Sequence, residues 1–434
     1  MTFRRMKLVS LCAAFCALAC WLGTAQEAKP AAKRTLVRAG HVLDVRTGKV
    51  ADNQTIVVVG DAIRSMGPSA SVTAEPGDEV VDLGGMTVLP GLIDVHTHLT
   101  MNPDFDPYRE LISTDAKEAI NGVVNAKTTL MAGFTSARNV GAGGFTDVDL
   151  RDAIDAGQVP GPHLMVSGPP LGITGGHCDE NLLPIQYHVV SDGVADGIAE
   201  VQHKVRQDIK YGADLIKICA TGGVLSKGDD PQASQYTLEE MQAIVADAHR
   251  LGRKVAAHAH GAQGILWASR AGVDSIEHGS YINDEAIAEM KKNGTYLVPT
   301  LYLEDWQIEK GSLPAFYHQK MVDVSAVAKA NIKHAIQAGV KIALGTDAAV
   351  YPHGLNAHEL DVYVNQMGMT PLAALQTATI NAADLMGWSK NTGTLEAGKW
   401  ADMIGVPRNP LEDIRVLEEV PFVMKAGVVY KGGK

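Results

Sequence analysis

The sequence predicts an α/β fold: a (β/α)8 TIM barrel with a small β-sandwich domain built from both chain ends. Apolar, strand-like runs alternate with amphipathic helical stretches through the centre of the chain, and polar residues stand at the ends of several runs. Both termini carry short β-branched runs broken by Gly and Pro. With 434 residues, 46% hydrophobic and 20% charged, the chain is long enough for one large domain and a smaller one.

The first residues have the pattern of an export signal. Basic residues precede an apolar run from Leu8 to Leu22, and small residues then lead to Gln26. We expect residues 1–25 to be a signal peptide whose removal yields a secreted or periplasmic protein. A retained N-terminal anchor is the alternative, and a lipoprotein formed on Cys20 ranks below simple cleavage.

The charge balance excludes two classes of partner. Cleavage of that segment would remove three positive charges and take the formal net charge from −11 to −14. A chain this acidic is a poor ligand for nucleic acid or an anionic membrane, because both reward clustered Lys and Arg. Cleavage also leaves only Cys178 and Cys219, and the sequence does not decide whether they pair.

The predicted domain boundaries lie where the β-branched runs of the chain ends give way to the alternating strands and helices of the centre. Residues 26–91 and 391–434 are predicted to form the β-sandwich, and residues 92–390 the barrel. The first barrel strand lies at the end of the apolar run Val88–Leu99. Helices such as Leu238–Leu251 are predicted between the strands. Seven further strands are predicted at Phe134–Arg138, His163–Ser167, Asp214–Ala220, Lys254–His258, Ser275–His278, Tyr296–Thr300 and Lys341–Asp347.

The first of these strands suggests a metal site. Side chains two residues apart on a strand point to the same face, so His96 and His98 converge on one spot. Two converging imidazoles suit a metal ion. The pair is weak evidence alone, because the chain has 15 histidines and a second such pair at His258 and His260.

Further polar residues strengthen the interpretation, since each interrupts an otherwise apolar strand. The C-terminal strand ends of a barrel meet on one face, which would bring these residues together. The candidate set is His96, His98, Lys217, His258, His278 and Asp347.

Lys217 is the most informative member of the set. It lies in the apolar run Leu215–Ile218, where an unpaired ammonium is costly to bury and tends to lose its proton. The neutral amine can take up carbon dioxide to give a carbamate, an anionic ligand able to bridge two metal ions. The alternative is a lysine that pairs with a carboxylate or extends to the rim.

This set of positions resembles the amidohydrolase superfamily, as do three motifs that carry it: Val88–His98, Leu344–Asp347 and Gly398–Asp402. The resemblance covers nearly the whole mature chain. Within the superfamily, the chain is similar to the Xaa-Pro dipeptidase-like and carboxypeptidase-like branch, especially to the bacterial ochratoxin A amidohydrolases. The motifs that indicate this branch are Gly172–His177, Lys217–Gly223, Gln235–Glu240, Ala257–Gly261 and Ile276–Gly279.

The resemblance implies a cofactor and a mechanism. Two divalent metal ions, zinc by expectation, would lie on the six-residue set, bridged by carbamylated Lys217 and a hydroxide. His96, His98 and Asp347 would hold one ion, while His258 and His278 would hold the other. Asp347 would move the proton from the hydroxide to the leaving amine.

Substrate contacts are also implied by the resemblance. In this branch a histidine after strand 3 and a tyrosine after strand 4 lie near the substrate, which here are His177 and Tyr236. We also expect Arg138 to face the pocket, because an acidic protein that binds a carboxylate needs local donors. His260 shares a face with His258 and is expected beside the metal site without binding the ion.

Three functions compete. The first is hydrolysis of an amide or peptide bond in a dipeptide or N-acyl amino acid with a free C-terminal carboxylate on Pro, Phe or another apolar residue, including ochratoxin A. The second is a cyclic amide hydrolase of the imidazolonepropionase kind or an aminohydrolase, which Lys217 disfavours. The third is a secreted binding protein without catalysis, against which the intact Asp347 argues. A homo-oligomer, octameric as in relatives, is expected.

Overall fold

The computed structural model describes residues 33–101, 106–311 and 313–432, and the fold of this part is α/β with parallel-strand sheets. The expected signal peptide at residues 1–25 lies outside the described residues. The strands are β1 (Arg34–Leu43), β2 (Val50–Val59), β3 (Ala62–Pro68), β4 (Glu79–Pro90), β5 (Leu92–Thr97), β6 (Phe134–Asn139), β7 (His163–Val166), β8 (Leu215–Cys219), β9 (Lys254–Ala259), β10 (Ser275–His278), β11 (Tyr296–Val298), β12 (Lys341–Ile342), β13 (Met403–Val406), β14 (Phe422–Lys425) and β15 (Val428–Lys431).

Helices separate most of the central strands. In the described part they are α1 (Pro107–Glu110), α2 (Asp115–Met131), α3 (Thr146–Asp155), α4 (Ile198–Lys210), α5 (Leu238–Arg250), α6 (Ala262–Ala271), α7 (Asp284–Asn293), α8 (Tyr302–Lys310), α9 (Ala315–Gln337), α10 (His358–Asn365), α11 (Pro371–Thr377) and α12 (Ile380–Met386).

Strands from both chain ends join in one seven-stranded sheet, which confirms that the termini build a common β unit. Its order is β15-β14-β13-β4-β1-β2-β3, and β13 pairs antiparallel with β4 through Met403 opposite Pro90. Ile56 of β2 and Phe422 of β14 belong to the same hydrophobic cluster. The sheet therefore encloses a core of its own, and the two-layered sandwich remains a prediction.

The central strands form two parallel sheets, β5-β6-β7 and β12-β11-β10-β9-β8. Isolated parallel bridges connect their edges, Leu171 with Ile218 and Thr97 with Ala348. The predicted eighth strand is shorter than expected, because only Lys341–Ile342 has ladder geometry. The backbone beyond it still binds β5, since Val95 N donates to Leu344 O at 2.9 Å.

A capping box starts helix α5. Helix α5 begins after Thr237, whose side chain accepts a hydrogen bond from the Glu240 N–H while the Glu240 carboxylate accepts one from the Thr237 N–H. This reciprocal pair satisfies two N–H groups that the first turn leaves without partners.

Within the described residues, no helix has the length and apolar character needed to cross a membrane.

Candidate active site

The ends of the parallel strands bring the predicted polar residues together. Strands β5, β8, β9 and β10 run in the same direction, so their C-terminal ends lie on one side. A cavity of about 300 Å³ opens there. Its lining includes all six predicted ligands, namely His96, His98, Lys217, His258, His278 and Asp347.

Asp347 is the meeting point of the two histidines from β5. Its Oδ1 lies 3.4 Å from His96 Nε2 and 3.2 Å from His98 Nε2. The Asp347 N–H also donates to His96 O at 2.8 Å, which holds the segment after β12 against β5. The carboxylate and both imidazoles therefore converge through backbone pairing that the strands themselves provide.

The outer nitrogens of these two histidines are already occupied. His96 Nδ1 donates to Glu277 Oε2 at 2.8 Å, and His98 Nδ1 donates to Gly141 O at 3.3 Å. A carboxylate and a carbonyl only accept, so both Nδ1 atoms carry the proton. Each Nε2 then faces Asp347 and is the ring nitrogen left for a metal ion.

Two groups of side chains could hold a metal ion. His96, His278 and Asp347 form one group, and His258, His260 and His278 form the other; in each, one ligand atom per residue lies within 4.8 Å of the others. His278 belongs to both groups, and His260 belongs to the second. The geometry thus brings together the predicted residues but divides them differently from the predicted pairing.

The electrostatics of the cavity favour neutral imidazoles at His258, His260 and His278 and an ionised carboxylate at Asp347. Burial lowers the pKa of His258 and His278 well below the usual range and lowers the pKa of His260 to about 3. Burial alone would raise the pKa of Asp347, but the charges and hydrogen bonds of His96 and His98 lower it well below its usual range. Neutral nitrogens and a carboxylate are the forms that bind divalent metals.

Lys217 is buried at the edge of the same cavity. Within the described part of the chain, no carboxylate oxygen lies within 4.0 Å of its Nζ. Burial lowers the pKa of Lys217 to about 8, although the more distant charges of Glu277 and Asp347 oppose this shift. The lysine is thus neither paired directly nor extended to solvent, and its amine is easier to deprotonate than an ordinary one.

Glu277 is a functional candidate that the sequence reasoning missed. Its Oε1 accepts from Arg138 Nη2 at 2.8 Å, while its Oε2 accepts from His96. Burial would raise the pKa of Glu277, but the Arg138 charge and the His96 hydrogen bond lower it to about 2. The sequence could have indicated Glu277 by its position one residue before His278. Neighbouring side chains on a strand point to opposite faces, so the residue next to a ligand can contact the other residues of the site from the other side.

The structure places two predicted substrate contacts away from the cavity. Arg138 is 1% exposed and donates to Val95 O, Ser275 Oγ and Glu277, so it orients the Glu277 carboxylate. Tyr236 is also 1% exposed, and its hydroxyl donates to Ala195 O at 3.3 Å. Neither is among the described residues that line this cavity or the smaller one beside it.

His177, in contrast, lies where a substrate contact was expected. Its ring stacks on His258 with the ring centroids 4.1 Å apart. It lines both the larger cavity and an adjoining one of about 50 Å³, whose lining includes the apolar Leu303 and Met321 and the buried Glu304. Burial raises the pKa of Glu304 to about 7.

A disulfide ties the loop of His177 to the site. Cys178 and Cys219 are bonded, with their Cα atoms 6.0 Å apart. Cys219 ends β8 two residues after Lys217 and is opposite His258 in the strand register. The disulfide therefore holds the loop next to two candidate ligands, which settles the pairing that the sequence left open.

The backbone is left-handed at two candidate ligands. His278 has φ = 70° and Asp347 has φ = 59°. Residues other than glycine adopt such angles at a cost of about 1–3 kcal/mol and do so most often at functional sites. Surrounding contacts offset the cost, including the hydrogen bond between His278 Nδ1 and Thr300 Oγ1 at 2.8 Å.

Comparisons with known proteins agree with this geometry. Residues 87–431 match the Amidohydrolase family. Ochratoxinase of Aspergillus niger is 35% identical over 427 residues, covering 92% of this chain and 87% of the relative. Its crystal structure has a TM-score of 0.82 and 32% identity over 93% of this chain and 96% of that one.

Two other relatives bear on the choice of function. A crystal structure of a Xaa-Pro dipeptidase with methionine in its active site has a TM-score of 0.87 and 38% identity, over 92% of this chain and all of that chain. Imidazolonepropionase of Symbiobacterium thermophilum is more distant, at 25% identity over 92% of this chain and 90% of the relative.

Proposed function

Because this chain belongs to the amidohydrolase family, we propose that it hydrolyses the amide or peptide bond of dipeptides or N-acyl amino acids that carry a free C-terminal carboxylate. The residue bearing that carboxylate is Pro, Phe or another apolar residue, and ochratoxin A is a candidate substrate. The observation that carries this proposal is the single cavity lined by all six candidate ligands. Similarity to an ochratoxinase and to a Xaa-Pro dipeptidase supports the substrate class.

The donor set fits two divalent metal ions, and we propose zinc. Neutral imidazole nitrogens, a carboxylate and a carbamylated Lys217 are ligands that zinc accepts. His96, His98 and Asp347 would hold one ion and His258 and His278 the other, with Lys217 between them. Such ions, when bound, lower the pKa of a water molecule and polarise the scissile carbonyl.

Asp347 is the residue we propose to move the proton. Its carboxylate lines the cavity and is ionised, so it can accept a proton from the attacking water. It can then deliver that proton to the nitrogen of the leaving amine. Glu277 and Arg138 do not touch the substrate in this scheme; they hold His96 in the required tautomer.

The proposal also includes the closed barrel, export from the cytoplasm and assembly into an oligomer. The bridges between Leu171 and Ile218 and between Thr97 and Ala348 support a closed eight-stranded barrel. The Cys178–Cys219 disulfide supports export, because disulfides persist in oxidising compartments. We also expect a homo-oligomer, whose order light scattering would measure.

The direct test is a hydrolysis screen of protein reconstituted with zinc. The substrates are Xaa-Pro and Xaa-Phe dipeptides, N-acyl amino acids and ochratoxin A, each beside its C-terminal amide. We expect turnover of the free acids, and a loss of roughly a hundredfold in kcat/KM on amidation, because a charge-assisted contact is worth about 1.5–3 kcal/mol. Equal activity on acid and amide would contradict the carboxylate requirement.

The competing function is hydrolysis of a cyclic amide or deamination. It is the weaker candidate because the imidazolonepropionase relative is more distant than the ochratoxinase and because Lys217 sits in the site. Ammonia release from aminated heterocycles, or ring opening of a cyclic amide, in the absence of dipeptide hydrolysis would favour it. Metal-dependent turnover of any substrate excludes a binding protein without catalysis.

A further inference from the structure

A chain of hydrogen bonds leads from His177 away from the cavity. His177 Nδ1 lies 2.8 Å from Ser226 Oγ, and Ser226 Oγ lies 2.7 Å from Asp229 Oδ1. Lys320 of α9 ends the chain by donating to Asp229 Oδ1 at 2.9 Å. Ser226 and Asp229 belong to the loop that follows β8, so this loop and α9 together support the imidazole.

The carboxylate of Asp229 must be ionised, since four donors surround it. Oδ1 accepts from Ser226 and Lys320, and Oδ2 accepts from Gly223 N at 3.0 Å and from Gln235 Nε2 at 3.2 Å. Burial would raise the pKa of Asp229, but the hydrogen bonds of Ser226 and Lys320 lower it. An ionised carboxylate has no proton to give, so it only accepts.

This fixes the proton on His177 by elimination. A 2.7 Å contact between Ser226 Oγ and an ionised carboxylate requires the hydroxyl proton, because two acceptors at that distance would repel. The serine therefore has only a lone pair left for His177, and Nδ1 must donate to it. In the neutral imidazole, Nε2 then carries a lone pair.

The backbone around His177 keeps the ring in place. Its N–H donates to Gln235 Oε1 at 3.0 Å, and Cys178 beside it is bonded to Cys219. A Cβ added to Gly223 would lie 2.1 Å from His177 Nδ1, so only glycine permits the loop to pack against the ring. The described groups that could hold a metal do not include His177.

We propose that His177 accepts a hydrogen bond through Nε2 from an N–H group of the substrate, held in this tautomer by the Ser226–Asp229–Lys320 chain. The inference rests on the proposed amide hydrolysis and narrows it. His177 does not bind the substrate carboxylate, because two acceptors repel, and amides with an N–H are favoured over the tertiary amides of proline. Ser226, Asp229 and Lys320 are positioning residues.

The kinetic test compares N-acetyl-phenylalanine, whose scissile amide has an N–H, with N-acetyl-proline, which has none. In Ser226→Ala the His177 proton is no longer held on Nδ1. The variant should therefore lower kcat/KM for the phenylalanine substrate about fivefold to tenfold, which is the range set by a net hydrogen bond. The proline substrate should change less than twofold. Ser226→Thr, which keeps the hydroxyl, should restore the wild-type ratio, and the exposed Ser65→Ala should change neither rate.

Equal losses on both substrates would overturn the proposal, because a merely structural serine would affect both alike. A second measurement does not depend on turnover: ¹⁵N NMR of histidine-labelled protein, with the His177 signal assigned from its loss in His177→Gln. We expect an unprotonated Nε2 in the wild type and a mixture of tautomers in Ser226→Ala. A protonated Nε2 in the wild type also overturns the proposal, whereas failure to cleave any amide with the expected tautomer refutes the proposed function instead.

Discussion

His96 Nδ1 donates to Glu277 Oε2 over 2.8 Å, and the two side chains are buried together. Replacing Glu277 by Gln removes the charge that keeps the proton on Nδ1. Partners of this kind typically contribute about 10- to 100-fold to metal affinity, so we expect Glu277→Gln to weaken zinc binding by that factor. Competition with a chromogenic chelator measures it.

A control separates this effect from a general loss of charge. Glu239 is exposed on α5, and Glu239→Gln should leave zinc affinity unchanged. Because Glu277 also pairs with Arg138, the Gln variant should unfold at a lower temperature. Wild-type zinc affinity in a folded Glu277→Gln protein would show that His96 needs no carboxylate partner.

Removal of the Lys217 side chain is expected to cost metal as well as activity. The lysine is buried beside the candidate ligands, and no carboxylate of the described residues lies within 4.0 Å of it, so Lys217→Ala should contain less zinc by elemental analysis. A short-chain carboxylic acid in solution should partly restore binding if the native ligand is a carbamate. The exposed Lys390→Ala serves as the control; full zinc content in Lys217→Ala would favour a structural lysine.

Asp347→Asn tests the proton transfer. The amide keeps the size of the carboxylate but cannot accept a proton at neutral pH. General acid–base groups contribute about 10²- to 10⁴-fold, so kcat on the best amide substrate should fall at least about a hundredfold. We expect the variant to fold and to retain the ion on His258 and His278. Turnover within a few-fold of wild type would assign the proton to another group.

The disulfide between Cys178 and Cys219 should stabilise the protein and keep His177 in position for catalysis. A bridge of this kind commonly contributes about 2–4 kcal/mol, so the Cys178→Ser/Cys219→Ser double variant should lose that much unfolding free energy. Its kcat/KM should also fall, because His177 adjoins Cys178. A thiol reductant should move the wild type towards the variant and leave the variant unchanged; equal sensitivity of both proteins would contradict this.

Asp208, on α4, is expected to make stability depend on pH. It is 2% exposed, and burial raises its pKa to about 8. Between about pH 4 and 8 the unfolded carboxyl is ionised while the folded one holds its proton, so stability falls as pH rises. The slope from this group approaches about 1.4 kcal/mol per pH unit and disappears above its folded pKa.

Urea titrations of Asp208→Asn across pH 4–9 measure this contribution. The difference in unfolding free energy between variant and wild type should grow in favour of the variant as pH rises to about 8, and then level off. The exposed Asp149→Asn should follow the wild type. A constant difference between Asp208→Asn and wild type over the whole range would mean that Asp208 is ionised in the folded protein.

The sequence predicted those parts of the site that depend on strand periodicity. His96, His258 and His278 stand at strand ends, where alternation and direction determine the face and the side of the sheet. Lys217 was identifiable because a cation inside an apolar strand is rare. Both chain ends were also recognisable as β structure, since their β-branched runs are bounded by Gly and Pro.

What escaped prediction depends on contacts between distant residues. Arg138 has the charge of a residue that could bind a substrate carboxylate. Its guanidinium instead donates to Glu277, which lies on another strand. The pairing of Cys178 with Cys219 required the loop after β7 to fold back over β8. The role of Asp229 is likewise visible only when Lys320, from a helix far along the chain, is seen beside it.

The pairing of β4 with β13 has a consequence for how the protein is made. β4 leads directly into β5 and His96, yet its antiparallel neighbour is Met403–Val406, close to the opposite end of the chain. A ribosome must therefore release the whole stretch between Pro90 and Met403 before the strand that leads into the active site has its second neighbour. Contacts so distant in sequence form slowly. The newly made chain thus stays incomplete beside β5 until β13 has emerged, an interval in which it remains available to chaperones.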